Sequence, residues 1–367
     1  MESSVPKGFR QFKVGKIVEE SNLVKSFYLI PADGKPLDTF LPGQFLTFRI
    51  DLPDKTKPVL RTYSLSSGPE QNNAYRVSIK REVSEDSNGN IPDGLISNWF
   101  HDHISVGAQL LIRSPRGKFY RDPDSDRPAA LISAGIGITP MLSMLHSISR
   151  CENPPETFFV HGARNSECHS MKTEVLKLTS GHENITNLFF YSRPLASDKV
   201  GNDYHFNGRM NCDRLKSILP NNDFDFFLCG PGNFIESLYS CLLLWGVPDE
   251  NIHFESFGPA SAFRRKEVLD KVLREESETV EKSNFDISFV KSGKSVSWDD
   301  TFESILEFAE AQGLEPDFGC REGMCHTCEC GLLKGKVKYT DAEVDPGLES
   351  TVLICSSIPV TDLEIDL

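Results

Sequence analysis

Four cysteines near the end of the 367-residue sequence have a spacing that suits an iron–sulfur cluster. Cys320, Cys325 and Cys328 form a C-x4-C-x2-C segment, and Cys355 follows after 26 intervening residues. This is the plant-type ligand spacing of a 2Fe-2S cluster, in which two thiolates bind each iron. Gly319 and Gly323 would allow the tight backbone that aims N–H groups at sulfur. We therefore predict these four cysteines as metal ligands.

A structural zinc site is the alternative for this segment, but its spacing does not match the usual zinc-ribbon patterns. Cys330 is a fifth cysteine in the same region and is interpreted as a packed free thiol. His326 lacks the second histidine that a Rieske-type ligand set requires, so we expect it at the surface.

A second group of residues has the chemistry of a flavin site. In Arg61-Thr-Tyr-Ser64, Arg61 can neutralise a phosphate, the ring of Tyr63 can lie against an isoalloxazine, and Ser64 offers a hydroxyl near its edge. The tetrapeptide alone is weak evidence. Gly43-Gln-Phe45 upstream and the turn Pro92-Asp-Gly-Leu-Ile-Ser-Asn98 downstream strengthen it, because the turn leads into a helix whose N–H groups can hold a pyrophosphate.

Glycine turns after two apolar strands point to a nucleotide site. Ala134-Gly-Ile-Gly-Ile-Thr-Pro140 joins a strand to the N-terminus of a helix expected over Met141–His146, which is an anion site by geometry. It lacks the full G-x-G-x-x-G, so a plain strand–helix turn remains an alternative. Leu228-Cys-Gly-Pro-Gly232 places Cys229 at a strand end, where α/β sheets bind ligands.

The elements that must position these residues divide the chain into four parts. Residues 1–123 read as short strands, for example Phe45–Ile50 and Tyr75–Lys80, separated by turns, which is typical of a small antiparallel β-barrel. Residues 124–262 alternate strands and helices, which indicates an α/β domain with a parallel sheet. Residues 263–282 form a charged linker, and residues 283–367 form a third domain, with a helix expected over residues 301–312.

Composition excludes several classes of protein. The net charge of −14 gives no electrostatic drive toward nucleic acid, and no apolar run suits a membrane span or a signal sequence. Residues 283–367 hold 17 acidic and 6 basic residues, so this part carries −11 of that charge. We expect a cytoplasmic protein whose scattered cysteines (Cys151, Cys168, Cys212, Cys229 and Cys241) are reduced and mostly buried.

These motifs occur in the order found in the ferredoxin-NADP reductase superfamily, and Phe254-Glu-Ser-Phe-Gly-Pro259 completes the series. The first ~260 residues resemble the reductase half of flavohaemoglobins, although no globin-like segment precedes Phe9. The C-terminal part resembles a plant-type ferredoxin, which implies an α+β β-grasp fold. The whole chain is similar to one-component oxygenase reductases.

The resemblance implies a role for each matching position. It implies a catalytic trio around the nicotinamide and flavin, formed by Ser64, Cys229 and Glu255. It implies contacts to FAD from Phe45, Arg61, Tyr63, Ser64, Gly94, Ile96, Ser97 and Phe257. It implies contacts to the nicotinamide nucleotide from Gly135, Gly137, Thr139, Pro140, Gly230 and Pro231. Arg193, with Ser192, Lys199 and Tyr204, matches the NADPH phosphate grip of some members, whereas flavohaemoglobin-like relatives usually use NADH, so both nucleotides stay open.

The predicted function is electron transfer from NAD(P)H through FAD and the 2Fe-2S cluster to a separate acceptor protein, with an oxygenase component as the leading class. The acidic C-terminal part predicts a basic docking patch on that acceptor. The alternatives are a non-enzymatic redox sensor or binding subunit, and a flavin reductase with a structural metal. FMN in place of FAD is also left open by the residues.

Overall fold

The fold is taken from a computed structural model that describes residues 6–53, 55–71, 73–83, 94–257, 285–340 and 350–367. The chain forms two compact units, Met1–Phe257 and Gly258–Leu367. The predicted linker at residues 263–282 lies outside the described residues, and so do Pro92 and Asp93 of the predicted flavin turn.

The first unit begins with a six-stranded antiparallel sheet in the order β4-β3-β6-β1-β2-β5. An antiparallel bridge between Leu65 and Val77 links the chain after β4 to β5 and so joins the two edges, as the barrel prediction required. The strands are β1 (Arg10–Ser21), β2 (Val24–Pro31), β3 (Phe45–Ile50), β4 (Val59–Ser64), β5 (Tyr75–Lys80) and β6 (Gln109–Ile112).

Helix α1 (Leu95–His103) packs against the barrel through one buried aromatic ring. Phe100 makes edge-to-face contacts with Phe27, Phe48 and Tyr63, at ring-centre distances of 5.4–5.5 Å. Such pairs add to the gain from burying the rings. They hold α1 next to β4, the strand that carries the Arg61–Ser64 motif.

A six-stranded parallel sheet forms the rest of the first unit, in the order β10-β9-β8-β7-β11-β12. Its strands are β7 (Ala129–Ala134), β8 (Thr157–Ala163), β9 (Ile185–Tyr191), β10 (Phe206–Asn207), β11 (Asp225–Gly230) and β12 (Ile252–Ser256). The helices are α2 (Ile138–Ile148), α3 (Lys172–Thr179), α4 (Cys212–Ile218) and α5 (Gly232–Leu244). The sheet confirms the α/β prediction, and its strand order reverses at β7, between β8 and β11, where such folds bind ligands.

Two of the scattered cysteines contradict the expectation of reduced thiols. Cys212 at the start of α4 and Cys241 in α5 form a disulfide with Cα atoms 5.5 Å apart. Their 29-residue separation gave no sign that α4 and α5 would bring the two cysteines together. Burial was also overestimated, because Cys151, Cys168 and Cys212 are partly exposed, whereas Cys229 and Cys241 are buried.

The second unit contains a mixed five-stranded sheet, in the order β14-β13-β19-β15-β17, and a two-stranded sheet of β16 and β18. Its strands are β13 (Asp286–Phe289), β14 (Lys294–Ser297), β15 (Glu329–Lys334), β16 (Val337–Tyr339), β17 (Thr351–Leu353), β18 (Ser357–Pro359) and β19 (Leu363–Ile365). Helix α6 (Ile305–Ala311) buries Leu306 and Phe308 in the same core as Ile287 and Leu363. The α+β organisation agrees with the expected fold class.

Helix α6 is shorter than the predicted 301–312 segment. Ser304 is its N-cap and accepts a hydrogen bond from the backbone N–H of Glu307, so the helix begins after Ser304. In the described part of the chain, helices capable of crossing a bilayer are absent.

Candidate functional site

A hydrogen bond between Ser64 and Glu255 joins the two halves of the first unit. The Ser64 hydroxyl donates to Glu255 Oε2 at 2.9 Å, across 191 positions of sequence. Ser64 ends β4 of the barrel, and Glu255 lies in β12 at the edge of the parallel sheet. The predicted flavin motif and the predicted nucleotide sheet therefore meet at this point.

Cys229 lies beside Glu255 because β11 and β12 are parallel partners with these two residues in register. The thiol is fully buried. Burial, with the nearby charge of Glu255, raises the pKa of Cys229 well above its ordinary value, so the group stays a neutral thiol. Ser64, Cys229 and Glu255 thus form one cluster, as the resemblance implied.

Gly137 brings the predicted nucleotide turn against the same strand end. A Cβ atom on Gly137 would lie 2.2 Å from the Cys229 carbonyl oxygen, so no larger residue fits this approach. Gly135 has φ +57°, in the left-handed region that favours glycine. The three-residue 3-10 turn Gly135–Gly137 leads directly into α2, which begins at Ile138, earlier than the predicted Met141–His146. At the end of β11, a Cβ on Gly230 would meet the Phe234 ring at 2.9 Å, and Pro231 is the N-cap residue of α5.

Thr139 and Pro140 lie inside the first turn of α2, where both are buried. The Thr139 hydroxyl donates to the Ile136 carbonyl at 3.1 Å, so this side chain shapes the turn. Pro140 is tolerated because backbone N–H groups in a first turn have no intrahelical acceptor. Any contact of these two residues with a nucleotide remains a prediction.

The flavin side of the cluster is formed by β3 and β4. Phe45 is the register partner of Ser64 and is 4% exposed, with its ring against Gly117, where a Cβ would lie 2.8 Å away. Arg61 is partly buried on β4, and its guanidinium donates to the Leu60 carbonyl at 2.8 Å. Burial raises the pKa of Tyr63, which keeps its hydroxyl protonated.

The start of α1 carries the residues predicted to bind a pyrophosphate. Gly94 is the N-cap residue, and Asn98 is the first residue whose N–H bonds back to the Gly94 carbonyl. The backbone N–H groups of residues 95–97, in the first turn of α1, have no intrahelical acceptor, and such groups can bind an anion. Ile96 and Ser97 are buried, and the Ser97 hydroxyl donates to the Gly94 carbonyl at 3.1 Å. Contacts of Arg61 and of this helix start with a flavin dinucleotide remain predictions.

Two predicted contact residues lie outside the cluster. Arg193 is exposed in the loop after β9, and its N–H donates to the Arg164 carbonyl. Phe257 is 36% exposed directly after β12. Tyr204 stacks on Tyr191 at 4.9 Å and is 6% exposed, so its ring belongs to the core and not to an exposed phosphate grip with Arg193.

The cysteine loop of the second unit directs backbone N–H groups at sulfur. The N–H of Cys320 points to Cys325 Sγ at 3.2 Å, that of Cys325 to Cys320 Sγ at 3.3 Å, and that of Gly323 to Cys355 Sγ at 3.1 Å. Gly323 has φ +70°, and a Cβ on Gly319 would lie 2.8 Å from Cys325 Sγ. Gly323 is needed for its left-handed backbone conformation, and Gly319 is needed because a side chain would overlap Cys325 Sγ.

The four thiols are arranged as two pairs. Hydrogen bonding with Cys320 lowers the pKa of Cys325 and raises that of Cys320, and the corresponding contact with Cys328 raises the pKa of Cys355. Within the described residues, no group of three or more His, Cys, Asp or Glu side chains is arranged to hold a single metal ion. Two thiol pairs are the donor set of a binuclear cluster, in which two thiolates serve each iron.

Cys330 and His326 are placed as expected. Cys330 packs at the margin of the core, and burial raises the pKa of its thiol to about 11. The His326 side chain is 36% exposed and lies 3.3 Å from Glu329. The sequence did not reveal that Arg321 and His326 adopt φ near +60°, nor that the Thr327 hydroxyl lies 3.2 Å from Cys325 Sγ.

Sequence reasoning also missed a buried ion-paired group between the barrel and the sheet. Arg76 of β5 contacts Glu174 of α3, 98 positions away. A charged residue near the start of the buried strand Tyr75–Lys80 was the available signal, but the sequence does not name its partner.

Three family models match consecutive parts of the chain. An oxidoreductase FAD-binding domain matches residues 13–120, an oxidoreductase NAD-binding domain matches residues 131–239, and a 2Fe-2S iron–sulfur cluster binding domain matches residues 289–360. They favour FAD over FMN and the 2Fe-2S cluster over zinc. These domains define an iron–sulfur flavoprotein oxidoreductase that binds FAD, NAD and a 2Fe-2S cluster.

The first unit is also similar to individual proteins. A flavohemoprotein of Bacillus cereus is 38% identical over 258 residues, which are 70% of this chain and 63% of that protein's length. The solved flavohem-like FAD/NAD-binding domain of nitric oxide dioxygenase from Vibrio cholerae is 32% identical, with a TM-score of 0.60, over 69% of this chain and 100% of that one. The chain belongs to the flavohemoprotein-like reductases of the ferredoxin-NADP reductase superfamily, with a 2Fe-2S domain in the same polypeptide.

The three-domain architecture has its own counterpart. Phthalate dioxygenase reductase covers 98% of this chain, with 98% of its own length aligned, at a TM-score of 0.56 and 24% identity. This likeness concerns the fold.

Proposed function

We propose that this protein is an NAD(P)H-dependent reductase that delivers electrons to a separate acceptor protein. FAD would accept a hydride, and the cluster would receive the electrons singly for onward transfer. The observation that carries the proposal is the Ser64–Glu255 hydrogen bond, which joins the flavin motif to the strand end that holds Cys229. A flavin and a nicotinamide bound on either side of this contact would have their rings close together, as hydride transfer requires.

The site residues have distinct proposed roles. Ser64, Cys229 and Glu255 would line the gap between the two rings and exclude water. Phe45, Arg61, Tyr63 and the start of α1 at Gly94, Ile96 and Ser97 would hold FAD, with Phe257 beside it. The turn at Gly135 and Gly137, the first turn of α2 at Thr139 and Pro140, and Gly230 and Pro231 would hold the nucleotide. Arg193 would select for or against a 2′-phosphate.

The acceptor is proposed to be an oxygenase component. Phthalate dioxygenase reductase, which shares the architecture, is named for a dioxygenase. The net charge of −11 over residues 283–367 favours an acceptor with a basic docking patch. Complex formation should then weaken by an order of magnitude or more between low and physiological salt. Affinity that is independent of salt would contradict the docking patch but not the reductase activity. A cytoplasmic location stays a prediction from the sequence.

Anaerobic stopped-flow mixing tests the electron path. We expect NADH or NADPH to bleach the flavin absorbance first and the cluster absorbance second, and the faster nucleotide shows what Arg193 prefers. Steady turnover with an artificial acceptor distinguishes a reductase from a redox sensor or binding subunit. A flavin that is bleached while the cluster stays oxidised would refute electron transfer from the flavin to the cluster. A flavin that neither nucleotide reduces would refute the reductase activity itself.

A further inference from the structure

An ion pair between the buried Arg76 and the partly buried Glu174 connects the barrel to the nucleotide sheet at a second place. Arg76 of β5 is 4% exposed, and its guanidinium donates to both carboxylate oxygens of Glu174 in α3, at 2.7 and 2.9 Å. Paired N–H groups on one carboxylate fix direction as well as distance. Arg76 and Glu174 therefore fix how these two elements face each other.

His146 extends this contact to a second helix of the sheet. Its Nε2 atom lies 2.6 Å from Glu174 Oε1, and His146 belongs to α2. Despite burial, hydrogen bonds from His146 and Arg76 lower the pKa of Glu174 to about 2, so the carboxylate is charged. Across the same boundary, Glu70 of the barrel lies 3.6 Å from Arg150, which follows α2.

Both ends of this network are connected to the proposed reaction site. On the barrel side, Arg76 Nε donates to the Ser66 hydroxyl at 3.1 Å, and Ser66 follows Ser64 by two residues. On the sheet side, His146 belongs to the helix that begins directly after the Gly135–Gly137 turn. The network therefore links the segment that follows Ser64 to the helix that follows the turn.

Buried ion pairs give little net stability compared with apolar side chains of equal size, but they specify orientation. Hydride transfer is sensitive to misplacement of about 1 Å. We propose that Arg76, Glu174 and His146 are positioning residues, an interdomain lock that sets the distance between flavin and nicotinamide. The inference rests on the proposed function and assigns these residues no contact with either ring.

The double substitution Arg76→Met/Glu174→Met tests the lock. Apolar replacements of similar size should preserve the fold while removing the directional contact. We expect the limiting rate constant of flavin reduction at saturating nucleotide to fall about 10- to 100-fold. The apparent Kd for the nucleotide, the FAD content and the unfolding temperature should change little. Arg76→Lys, which keeps the charge and loses the paired N–H geometry, should show a smaller loss of the same kind.

The matched control is Arg127→Met/Asp225→Met. Arg127, two residues before β7, and Asp225, the first residue of β11, form a 2.8 Å ion pair that does not involve the barrel strands, so its removal should leave the limiting rate constant unchanged. A wild-type rate constant in the Arg76→Met/Glu174→Met variant would overturn the lock. The lock would also be overturned if the rate constant fell in both Arg76 variants only in proportion to a lower FAD content or a lower unfolding temperature. Failure of the wild-type protein to reduce its flavin would instead refute the proposed function, and the positioning role with it.

Discussion

The eight cysteines outside the disulfide differ in what surrounds each sulfur. Cys320, Cys325 and Cys355 receive backbone N–H groups at sulfur, whereas the Cys330 thiol packs against apolar neighbours and donates to the Cys328 carbonyl at 3.7 Å. This contrast supports the ligand role predicted for the first three cysteines and the packed thiol predicted for Cys330. The sequence predicted the same division from spacing, because cluster geometry restricts which positions can reach iron.

Replacement of Cys355 by serine should remove the cluster and leave the flavin. Thiolate is the ligand that iron–sulfur clusters use, and the hydroxyl replaces it poorly. We expect iron content and long-wavelength absorbance to fall by more than half, while nucleotide still bleaches FAD. Cys330→Ser is the control and should retain both. Equal loss of iron in the two variants would show that the fold of the loop, and not ligation, had been disturbed.

Glu255→Gln tests the charge at the proposed hydride gap. A nicotinamide becomes cationic as hydride leaves, so a carboxylate next to Cys229 should stabilise the transition state. The amide oxygen can still accept the Ser64 hydroxyl. We expect the rate constant of flavin reduction to fall about tenfold, equivalent to ~1.4 kcal/mol. An unchanged rate constant would assign Glu255 to the hydrogen bond alone.

Strands were easier to predict than helix starts. Phe45–Ile50 and Tyr75–Lys80 were predicted with the bounds that β3 and β5 have, because apolar runs between turn residues mark both ends. Helix α6 begins four residues later than predicted, because the cap is Ser304 and not a residue near Thr301. Helix α2 begins three residues earlier than predicted, because its glycine turn is a compact 3-10 turn.

The Gly137 turn gives an element-scale prediction. Gly137→Ala should destabilise the first unit by about 1–3 kcal/mol, because its Cβ would overlap the Cys229 carbonyl. The nucleotide should also bind more weakly. Gly162→Ala is the matched control, since its nearest neighbour would lie 3.8 Å away and the effect should stay within about 0.5 kcal/mol. Urea unfolding and nucleotide titration measure both. Equal stability of the two variants would show that the β11 backbone at Cys229 moves to accommodate the added Cβ at little cost.

At the scale of the whole molecule, acid should weaken the first unit through two buried imidazoles. Burial lowers the pKa of His161 to about 3 and that of His169 well below 6.5, and their ring centres lie 5.0 Å apart. Below pH 6.5 the unfolded chain therefore binds protons that the folded chain does not. Stability is complete above pH 6.5 and falls by about 1.4 kcal/mol per pH unit for each imidazole. Glu174, with a pKa of about 2, adds a further loss below pH 4.5.

Urea unfolding at pH 7, 6 and 5 measures this slope. His161→Phe should reduce the slope by the contribution of one imidazole, because the variant has one fewer group that binds a proton on unfolding. A flat profile between pH 7 and 5 would mean that the imidazoles become protonated without unfolding.

Long-range contacts set the limit of prediction from sequence. The cluster ligands, the glycine turns and Ser64 were predicted, because local spacing encodes each of them. The Arg76–Glu174 pair spans 98 positions and the Cys212–Cys241 bond spans 29, and neither has a local pattern that names its partner. Such contacts follow from how the elements pack.

The disulfide has a practical consequence for preparing the protein. One polypeptide holds a sulfur–sulfur bond between α4 and α5 and four thiols that must be reduced to bind iron. Thiol reagents added to rebuild a lost cluster would also open Cys212–Cys241. Samples reconstituted in this way would differ from untreated ones in the nucleotide-binding half as well as in iron content. The oxidation state of these two sulfurs should therefore be assayed before rates from different preparations are compared.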